Sequence, residues 1–572
     1  MRRLLPVLLY VCVAVAVTWP VALEPTTALV GYPNVDATDT IMLRGLVPEM
    51  LLSGSWPHSS GIYAPEGFAV GELVPNLVDH VLGALTALTL PFPLSDNLWW
   101  LVVLVGNGLA GHHLGRVLSG SWTGGVFLGV VWACAESTLR EANLHHAPQA
   151  LLWFPPLYVA ALVERRPVKA ALAMAAAALT YWYAAVFLTI GSLPFLLARL
   201  PTLSRAAALT AVLVAAPLAW TVSAYEGFPD PQANQAAMLP GQETVPAEER
   251  MEVAHGGDLS LFADYRPIDR SNAQPWVLLA LAIFAARRKE ARPFLAMAAL
   301  GYVFALGPYL KWGEATLEVA LPFHALGELH PALDRLTWPE RFGLLLTLGL
   351  AAAATAALPR HPIAVGGLLV LLLGEATARS DNLPLTTQDL TALEGWRVLA
   401  LAPGRVLELP LSRGADASLV GLHRRYHRRD LLNPVLLPPG RRAPLAWRNT
   451  LARNAFTSRL LDHEAGQEVV FTAEHAAALT GLGVGALALD VRPGQGVTEG
   501  RARLYRSALE PLGWEVQDHC GLMVWWRDAP DVPSPEGCRA WRKAEREALR
   551  APRPELDTLI RVTWPRAPGT RP

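Results

Sequence analysis

Two aspartates near the N-terminus have the residue type and the spacing that proton transfer requires. Asp36 and Asp39 stand three residues apart and precede a stretch that is compatible with a helix. A carboxylate within hydrogen-bond distance of a hydroxyl can accept its proton and so activate the oxygen for attack. Two other interpretations stay open at this point: Asp39 as a helix N-cap that accepts hydrogen bonds from free backbone N–H groups, and Asp36 as a solvated loop acid.

A second set of ionisable residues is packed into one short segment. Glu136, Arg140, Glu141, His145 and His146 lie within eleven positions of each other. Arginine and histidine can stabilise a phosphate that departs with negative charge, provided that they are held in a dry, preorganised site. The alternatives for the two histidines are an ordinary polar turn or one half of a metal site.

A later segment, Trp338-Pro-Glu-Arg-Phe342, adds a further cation just before an apolar run. Arg341 could bind the same kind of phosphate, or it could anchor the chain at a membrane interface beside Trp338. No zinc motif accompanies these residues. Mg²⁺ or Mn²⁺ held by Asp36 or Asp39 together with Glu141 is possible, because hard cations prefer carboxylate ligands.

The composition shows which elements must position these residues. Of 572 residues, 52% are apolar and only 17% are charged, and the mean hydropathy is +0.28. Soluble domains carry about 25% charged residues, so a polytopic membrane protein with a soluble appendage is expected. The net charge of −1 argues against nucleic acid as a partner.

About eleven apolar runs are candidate transmembrane helices. They are Leu4–Val21, Leu98–Leu114, Trp122–Ala135, Pro148–Val163, Val168–Tyr181, Tyr183–Leu200, Ala206–Val222, Pro275–Ala286, Phe294–Leu310, Phe342–Leu358 and Pro362–Ala376. A twelfth run, Val74–Pro93, is interpreted as a helix that lies at the outer face, because nearly every short basic loop then falls on one side. This places the N-terminus in the cytoplasm.

With that orientation, the long loops and the C-terminal region lie outside the cytoplasm. The outer segments are Glu24–Gly71, Glu136–Ala147, Ser223–Ala273 and Lys311–Arg341, and the first outer loop with its interfacial helices covers residues 24–97. Ionisable residues gather in these segments and are scarce in the middle of the runs. A coupled transporter usually places charges near the bilayer midplane, so the pattern favours a reaction at the outer interface.

Several short motifs, in this order, resemble the GT-C superfamily of polytopic glycosyltransferases. They are Asp39 to Trp56, in which an acidic residue opens a helix that ends in Ser53-Gly-Ser-Trp56; Tyr63-Ala-Pro-Glu-Gly67; His146 with Pro156; and Pro339-Glu-Arg-Phe342. The chain is similar to protein mannosyltransferases and aminoarabinose transferases, and more so to uncharacterised bacterial members with an Asp-x-x-Asp pair.

The resemblance implies a fold, an activity and a set of roles. It implies an α-helical polytopic membrane domain over residues 1–379 that transfers a sugar from a polyprenyl-phosphate donor to an extracytoplasmic acceptor. Asp39, with Asp36 second, would be the base; His146, Arg341, Glu141 and His145 would bind substrate. The implied location is the bacterial inner membrane.

Two departures from the family pattern are visible. The family often has a basic residue where this chain has Thr337, with Arg335 nearby, and its acidic residue in the second outer loop has two matches, Glu136 and Glu141. Two other functions remain: a lipid or polysaccharide transporter or flippase, and a non-catalytic membrane-anchored binding protein.

Residues 380–572 are expected to form a soluble extracytoplasmic α/β domain. The region is rich in arginine, and short β-like runs (Arg405–Leu409, Glu468–Thr472, Ala486–Val491, Gly521–Trp526) alternate with helical stretches (Glu499–Leu512, Cys538–Arg550). If this domain lies outside the cytoplasm, Cys520 and Cys538 could form a disulfide.

Overall fold

The computed structural model of the protein divides the chain into two compact units. The first consists of Met1–Thr391 with Ser412–Leu451, and the second of Ala392–Leu411 with Ala452–Pro572. Residues 412–451, which the sequence assigns to the C-terminal region, therefore belong to the first unit. The structure describes residues 4–31, 35–56, 58–69, 76–223, 274–312, 315–329, 333, 336, 338–358, 361–380, 382–411, 417–433, 444–492, 498–519 and 521–530.

The first unit is built mainly from helices. In chain order they are α1 (Leu5–Val17), α2 (Val35–Ser53), α3 (Leu77–Thr89), α4 (Leu94–Ser119), α5 (Trp122–Ala133), α6 (Glu136–Asn143), α7 (Ala147–Ala150), α8 (Phe154–Val163), α9 (Pro167–Thr180), α10 (Trp182–Gly191), α11 (Leu196–Ser223), α12 (Trp276–Ala285), α13 (Arg292–Ala305), α14 (Pro322–Leu329), α15 (Gly343–Ala357), α16 (Pro362–Arg379), α17 (Ala417–His427) and α18 (Leu445–Arg453), the last of which ends in the second unit.

Apolar helices long enough to cross a membrane are present. By length and composition, Leu94–Ser119, Ala198–Ala219 and Pro339–Ala357 could span a bilayer, and seven further apolar helices in the described part of the chain are 10–17 residues long. The eleven spans remain a prediction. The run Tyr183–Leu200 is not one helix, because α10 ends at Gly191 and Pro194 lies in the short 3₁₀ turn that precedes α11.

Small residues allow the apolar helices to approach closely. A Cβ added to Gly111 on α4 would lie 3.0 Å from the Cα of Gly129 on α5, and one added to Gly115 would lie 2.3 Å from the carbonyl oxygen of Gly124. The two helices therefore pack backbone to backbone, as small residues permit in a membrane interior.

Short strands fix the segment between α1 and α3. Strand β1 (Ala28–Val30) pairs antiparallel with β6 (Thr387–Asp389), and β2 (His58–Ser59) pairs with β3 (Phe68–Ala69). The side chain of Asn97, on the first turns of α4, accepts a hydrogen bond from Val30 N at 3.1 Å and donates to Ala28 O at 2.7 Å. This segment is thereby fixed to the N-terminal end of α4. A further hairpin joins β4 (Tyr309–Trp312) to β5 (Ala315–Ala320).

The second unit contains a four-stranded mixed sheet. Its strand order is β7-β8-β10-β9, formed by β7 (Arg405–Leu409), β8 (Val484–Asp490), β9 (Glu515–His519) and β10 (Leu522–Trp526), with β7 and β8 parallel. Helices α19 (Ala455–Glu464), α20 (Ala473–Gly481) and α21 (Glu499–Leu509) accompany it.

The α/β content of the second unit agrees with the sequence pattern, with one exception. The run Glu468–Thr472 was expected to be a strand and is not, because Thr472 is the N-cap of α20 and the residues before it are irregular. Cys520 and Cys538 lie outside the described residues, so the disulfide stays a prediction, and so does the helix at Cys538–Arg550.

Candidate active site

Three residues predicted from two separate segments meet in one cluster. Glu141 lies on α6, His146 lies just before α7, and Arg341 lies in the 3₁₀ turn Pro339–Phe342 that leads into α15. His146 Nδ1 is 2.8 Å from Glu141 Oε2, and Arg341 Nε is 3.6 Å from Glu141 Oε1. Arg140 Nη2 donates to Glu141 Oε1 at 2.8 Å.

Arg341 is also held by aromatic side chains. Its Nη1 donates to the hydroxyl of Tyr181 at 2.6 Å, and its Cζ lies 5.6 Å from the ring centroids of both Tyr181 and Trp338. These distances are within the range of cation–π attraction. We call Arg140, Glu141, His146, Tyr181 and Arg341 the Glu141 cluster.

The Glu141 cluster is buried but not closed. The side chain of Arg341 remains 15% exposed, whereas the side chain of Glu141 is 7% exposed. Burial would raise the pKa of Glu141, but Arg341, Arg140 and the hydrogen bond from His146 hold it well below its usual value. Glu141 therefore stays ionised and fixes the cations around it, while the side chain of Arg341 keeps part of its surface exposed.

The two adjacent histidines belong to different surroundings. His145 has a positive φ of 58°, so its ring and the ring of His146 leave the backbone in different directions. Nδ1 of His145 lies 2.7 Å from Val30 O, and Trp100 Nε1 donates to its Nε2 at 3.2 Å. The ring of His145 thus packs against β1 and α4, whereas the ring of His146 joins Glu141.

The proton environment of His145 reflects this burial. Desolvation lowers its pKa to about 4, and the nearby charges of Asp96 and Arg44 act on it with opposite signs. His145 is therefore neutral at neutral pH. Substrate contact by His145 stays a prediction.

Asp39 lies in the second turn of α2 and is buried. Because α2 begins at Val35, the N-cap interpretation of Asp39 does not hold: the cap position lies before Val35. Asp36 falls in the first turn of the same helix, and its side chain lies outside the described residues. The roles of both as bases remain predictions.

The structure places Glu136 and Glu141, the two matches to one acidic residue of the family pattern, in different surroundings. Asn382 Nδ2 donates to Glu136 Oε1 at 2.6 Å, and Glu136 lines a small cavity with Gln274 and Thr347. Glu141, by contrast, is the acid among the cations. His, Cys, Asp and Glu side chains form no group of three that could hold a metal ion in the part of the chain that the structure describes.

A second charged cluster was not found from the sequence. Arg44 on α2 forms ion pairs with Asp79 on α3, at 3.3 Å, and with Asp96 on α4, and Arg425 on α17 contacts the other oxygen of Asp96 at 2.8 Å. Trp99 Nε1 donates to Asp79 Oδ1 at 2.7 Å. We call Arg44, Asp79, Asp96 and Arg425 the Arg44 network.

The Arg44 network is closed to solvent. The side chains of Arg44, Asp79 and Asp96 are 0% exposed. Burial alone would lower the pKa of Arg44, but Asp79 and Asp96 raise it above its ordinary value, so the guanidinium stays charged. A lone arginine in the apolar run Ile41-Met-Leu-Arg44 was the available signal, because a buried charge needs a partner.

No protein-family model and no curated protein matches the sequence. Among solved structures, it is similar to the cryo-EM structure of arabinofuranosyltransferase AftD from Mycobacteria, with a TM-score of 0.46 and 14% identity over 93% of this chain and 42% of that chain. The chain thus spans less than half the length of that protein.

The chain is also similar to the crystal structure of the Archaeoglobus fulgidus oligosaccharyltransferase. That match has a TM-score of 0.44 and 11% identity, and it covers 92% of this chain and 74% of that chain. The names of both proteins describe enzymes that transfer sugars.

Proposed function

We propose that this protein is a membrane glycosyltransferase that moves a sugar from a polyprenyl-phosphate donor to an extracytoplasmic acceptor, which is a glycan, a lipid or a protein. The observation that supports this most strongly is the convergence of His146, Glu141 and Arg341 from segments about 200 residues apart into one cluster with an accessible arginine edge. Such an edge suits a phosphate that must be held as it leaves.

The reaction is a displacement at the anomeric carbon with inversion. The acceptor hydroxyl oxygen forms the new bond to carbon while the bond from carbon to the phosphate oxygen breaks, and the polyprenyl phosphate departs with the bonding electrons. Asp39 takes the proton of the acceptor hydroxyl. Arg341 and His146 stabilise the negative charge on the leaving phosphate.

Glu141 contributes by holding these cations in place. An arginine that is already bonded to Glu141 and Tyr181 loses little further freedom when a phosphate arrives, and its planar group still has donors to offer. The aromatic rings of Trp338 and Tyr181 border the same guanidinium and provide faces on which a sugar could stack.

The transporter alternative receives less support. Asp79 and Asp96 lie in the first turns of α3 and α4, and Glu340 and Arg341 lie in the turn that enters α15. These charges stand at helix ends rather than near a midplane, where a coupled transporter would need them. The same placement supports an interfacial reaction at the outer face of a bacterial inner membrane.

Sugar transfer in proteoliposomes tests the proposal. The full chain would be supplied with a panel of polyprenyl-phosphate sugars and acceptors, with and without Mg²⁺ or Mn²⁺, and compared with Asp39→Asn and Arg341→Gln. Arg166→Gln is the control, because this guanidinium is 61% exposed and lies in another loop. Equal activity in wild type and Asp39→Asn would remove Asp39 from the mechanism. If the wild type transfers no sugar from any donor, the proposed glycosyltransferase activity is wrong.

A further inference from the structure

Helix α17 packs directly against the helix that bears Asp39. A Cβ added to Gly421 on α17 would lie 3.2 Å from Cβ of Met42 on α2, so the two helices touch at this point. Gly421 follows Met42 by 379 positions, and both helices belong to the first unit. Contact over such a sequence separation must be maintained by specific side chains.

Arg425 supplies most of this specificity. Its Nη1 donates to Ile41 O on α2 at 3.3 Å, and its Nη2 donates to Asp96 Oδ2 at 2.8 Å and to Ser95 Oγ at 3.1 Å on α4. A Cβ at Gly45 would lie 2.5 Å from Nη1, so a glycine is needed for the guanidinium to lie on α2. The planar fork thus joins two helices through one side chain.

The Asp96 carboxylate binds Arg44 of α2 as well as Arg425. Arg44 binds Asp96 and Asp79, so α2 is held to α3 and α4 from within and to α17 through Arg425. Ile41 and Arg44 are two and five positions after Asp39 on one continuous helix. Fixing the carbonyl of Ile41 and the side chain of Arg44 therefore fixes both the rotation and the height of the Asp39 carboxylate.

We propose that Arg425 is a positioning residue of the transfer reaction, which holds α2 so that the Asp39 carboxylate meets the acceptor hydroxyl. The inference rests on the proposed function and extends it to a segment outside the apolar runs. Arg425 touches no reacting atom in this role. Its removal would displace the base, and a displacement of about 1 Å can cost on the order of 100-fold in rate.

The adjacent arginine provides a matched control. Arg424 also reaches from α17 to α2, where its Nη2 donates to Glu49 Oε2 at 2.7 Å. The side chain of Glu49 is 41% exposed, whereas that of Asp96 is 0% exposed. Both arginines cross the same helix interface, but only Arg425 acts in the closed network.

The experiment compares Arg425→Gln with Arg424→Gln in the full chain by two measurements. The first is hydrogen exchange of the α2 amides at residues 37–47, and the second is kcat and donor KM for sugar transfer. We expect Arg425→Gln to speed exchange in this stretch and to lower kcat about 10- to 100-fold with an unchanged donor KM. Arg424 is also buried and donates to Gly61 O at 3.0 Å, but its contact with α2 is at Glu49, outside this stretch, so Arg424→Gln should change exchange at residues 37–47 and kcat less than Arg425→Gln does.

A disulfide between α2 and α17 should replace the contact that Arg425→Gln removes. In a background with the four native cysteines changed to serine, Met42→Cys with Gly421→Cys places two Cβ atoms close to disulfide range. Oxidation should restore kcat and slow exchange in Arg425→Gln. If Arg425→Gln does not fold, Arg425→Lys keeps the charge beside Asp96, loses the second donor and should give an intermediate exchange rate.

Three results would overturn the inference: unchanged exchange in Arg425→Gln, an equal effect of Arg424→Gln, or a lost kcat that the disulfide does not restore. The outcomes also separate the two proposals. If the wild type transfers no sugar, the proposed function and the catalytic consequence fail together, whereas the exchange comparison alone still decides whether Arg425 holds α2.

Discussion

Two charged clusters of similar size in the first unit are treated by the fold in opposite ways. The Arg44 network pairs two arginines with two aspartates, and its members on α2, α3 and α4 are sealed from solvent. The Glu141 cluster surrounds one carboxylate with two arginines and a histidine and leaves an edge of Arg341 accessible. The first is sealed with balanced charge, whereas the second keeps the side chain of Arg341 15% exposed and has a further carboxylate, Glu340, 3.9 Å from Arg140.

This difference assigns different tasks to the two clusters. A buried pair whose charges cancel contributes mostly to the geometry of the helices that it joins, and losing one partner leaves a costly uncompensated charge. The Glu141 cluster, in which the Arg341 side chain remains partly exposed, can bind an anion instead. Mutations in the Arg44 network should therefore reduce stability, and activity only through the position of α2, whereas mutations in the Glu141 cluster should reduce activity directly; the following predictions test that division.

The largest effect is expected from Asp96→Ala. This change leaves Arg425 without its buried carboxylate and Arg44 with only Asp79, so the folded state should lose about 3–5 kcal/mol. Glu49→Ala removes a carboxylate that is 41% exposed and leaves the buried Arg424 with its hydrogen bond to Gly61 O, so it should cost less, about 1–2 kcal/mol. Thermal unfolding in detergent measures both, and equal losses would mean that burial does not distinguish the two pairs.

Arg341→Gln should have the largest effect on activity. Loss of a preorganised donor beside the leaving phosphate is expected to lower kcat by about 10²- to 10³-fold, with a smaller loss of stability than Asp96→Ala. The assay is sugar transfer in proteoliposomes at saturating donor. A variant with wild-type kcat and lowered stability would place Arg341 with the structural charges.

His145 should make folding sensitive to mild acid. Its folded pKa of about 4 lies below the unfolded value of about 6.5, so the unfolded chain binds a proton first as the pH falls. The free energy of unfolding should therefore drop by about 2 kcal/mol between pH 7.5 and pH 5. His145→Asn, which tolerates the positive φ, should remove this part of the slope. An unaltered slope would show that the ring of His145 is not the titrating group.

The smallest effect is expected from Trp338→Leu. Loss of its cation–π contact with Arg341 is worth roughly 0.5–1 kcal/mol, which is a two- to fivefold decrease in kcat/KM. Trp276→Leu removes an exposed tryptophan from the start of α12 and is the control. If both variants are equally impaired, the effect comes from membrane anchoring rather than from the guanidinium.

The residues of the Glu141 cluster could be predicted from the sequence, whereas the pairing in the Arg44 network could not. Glu141, His146 and Arg341 each stand in a dense or recognisable local motif, so residue type and spacing suffice to single them out. Arg44, Asp79 and Asp96 are isolated charges, Arg425 lies in the charged run His423–Asp430, and the four residues stand on four different helices. Their pairing depends on how those helices pack, and no local pattern records that.

Local backbone geometry accounts for another difference. His145 and His146 are adjacent and chemically identical in the sequence, so both were predicted to bind substrate. The positive φ of His145 sends the two rings in different directions, one to Val30 and Trp100 and one to Glu141. A non-glycine residue in this conformation is uncommon and cannot be deduced from the residue type.

The contact between Arg425 and Asp96 has a consequence for how the chain is made. The two residues are 329 positions apart, so at roughly 5–20 residues per second the ribosome delivers the arginine about 20 to 60 s after the aspartate. During that interval Asp79 and Asp96 have only Arg44 between them. Helices α2, α3 and α4 therefore carry one excess negative charge among Arg44, Asp79 and Asp96 until Arg425 is synthesised, and the network is completed only then.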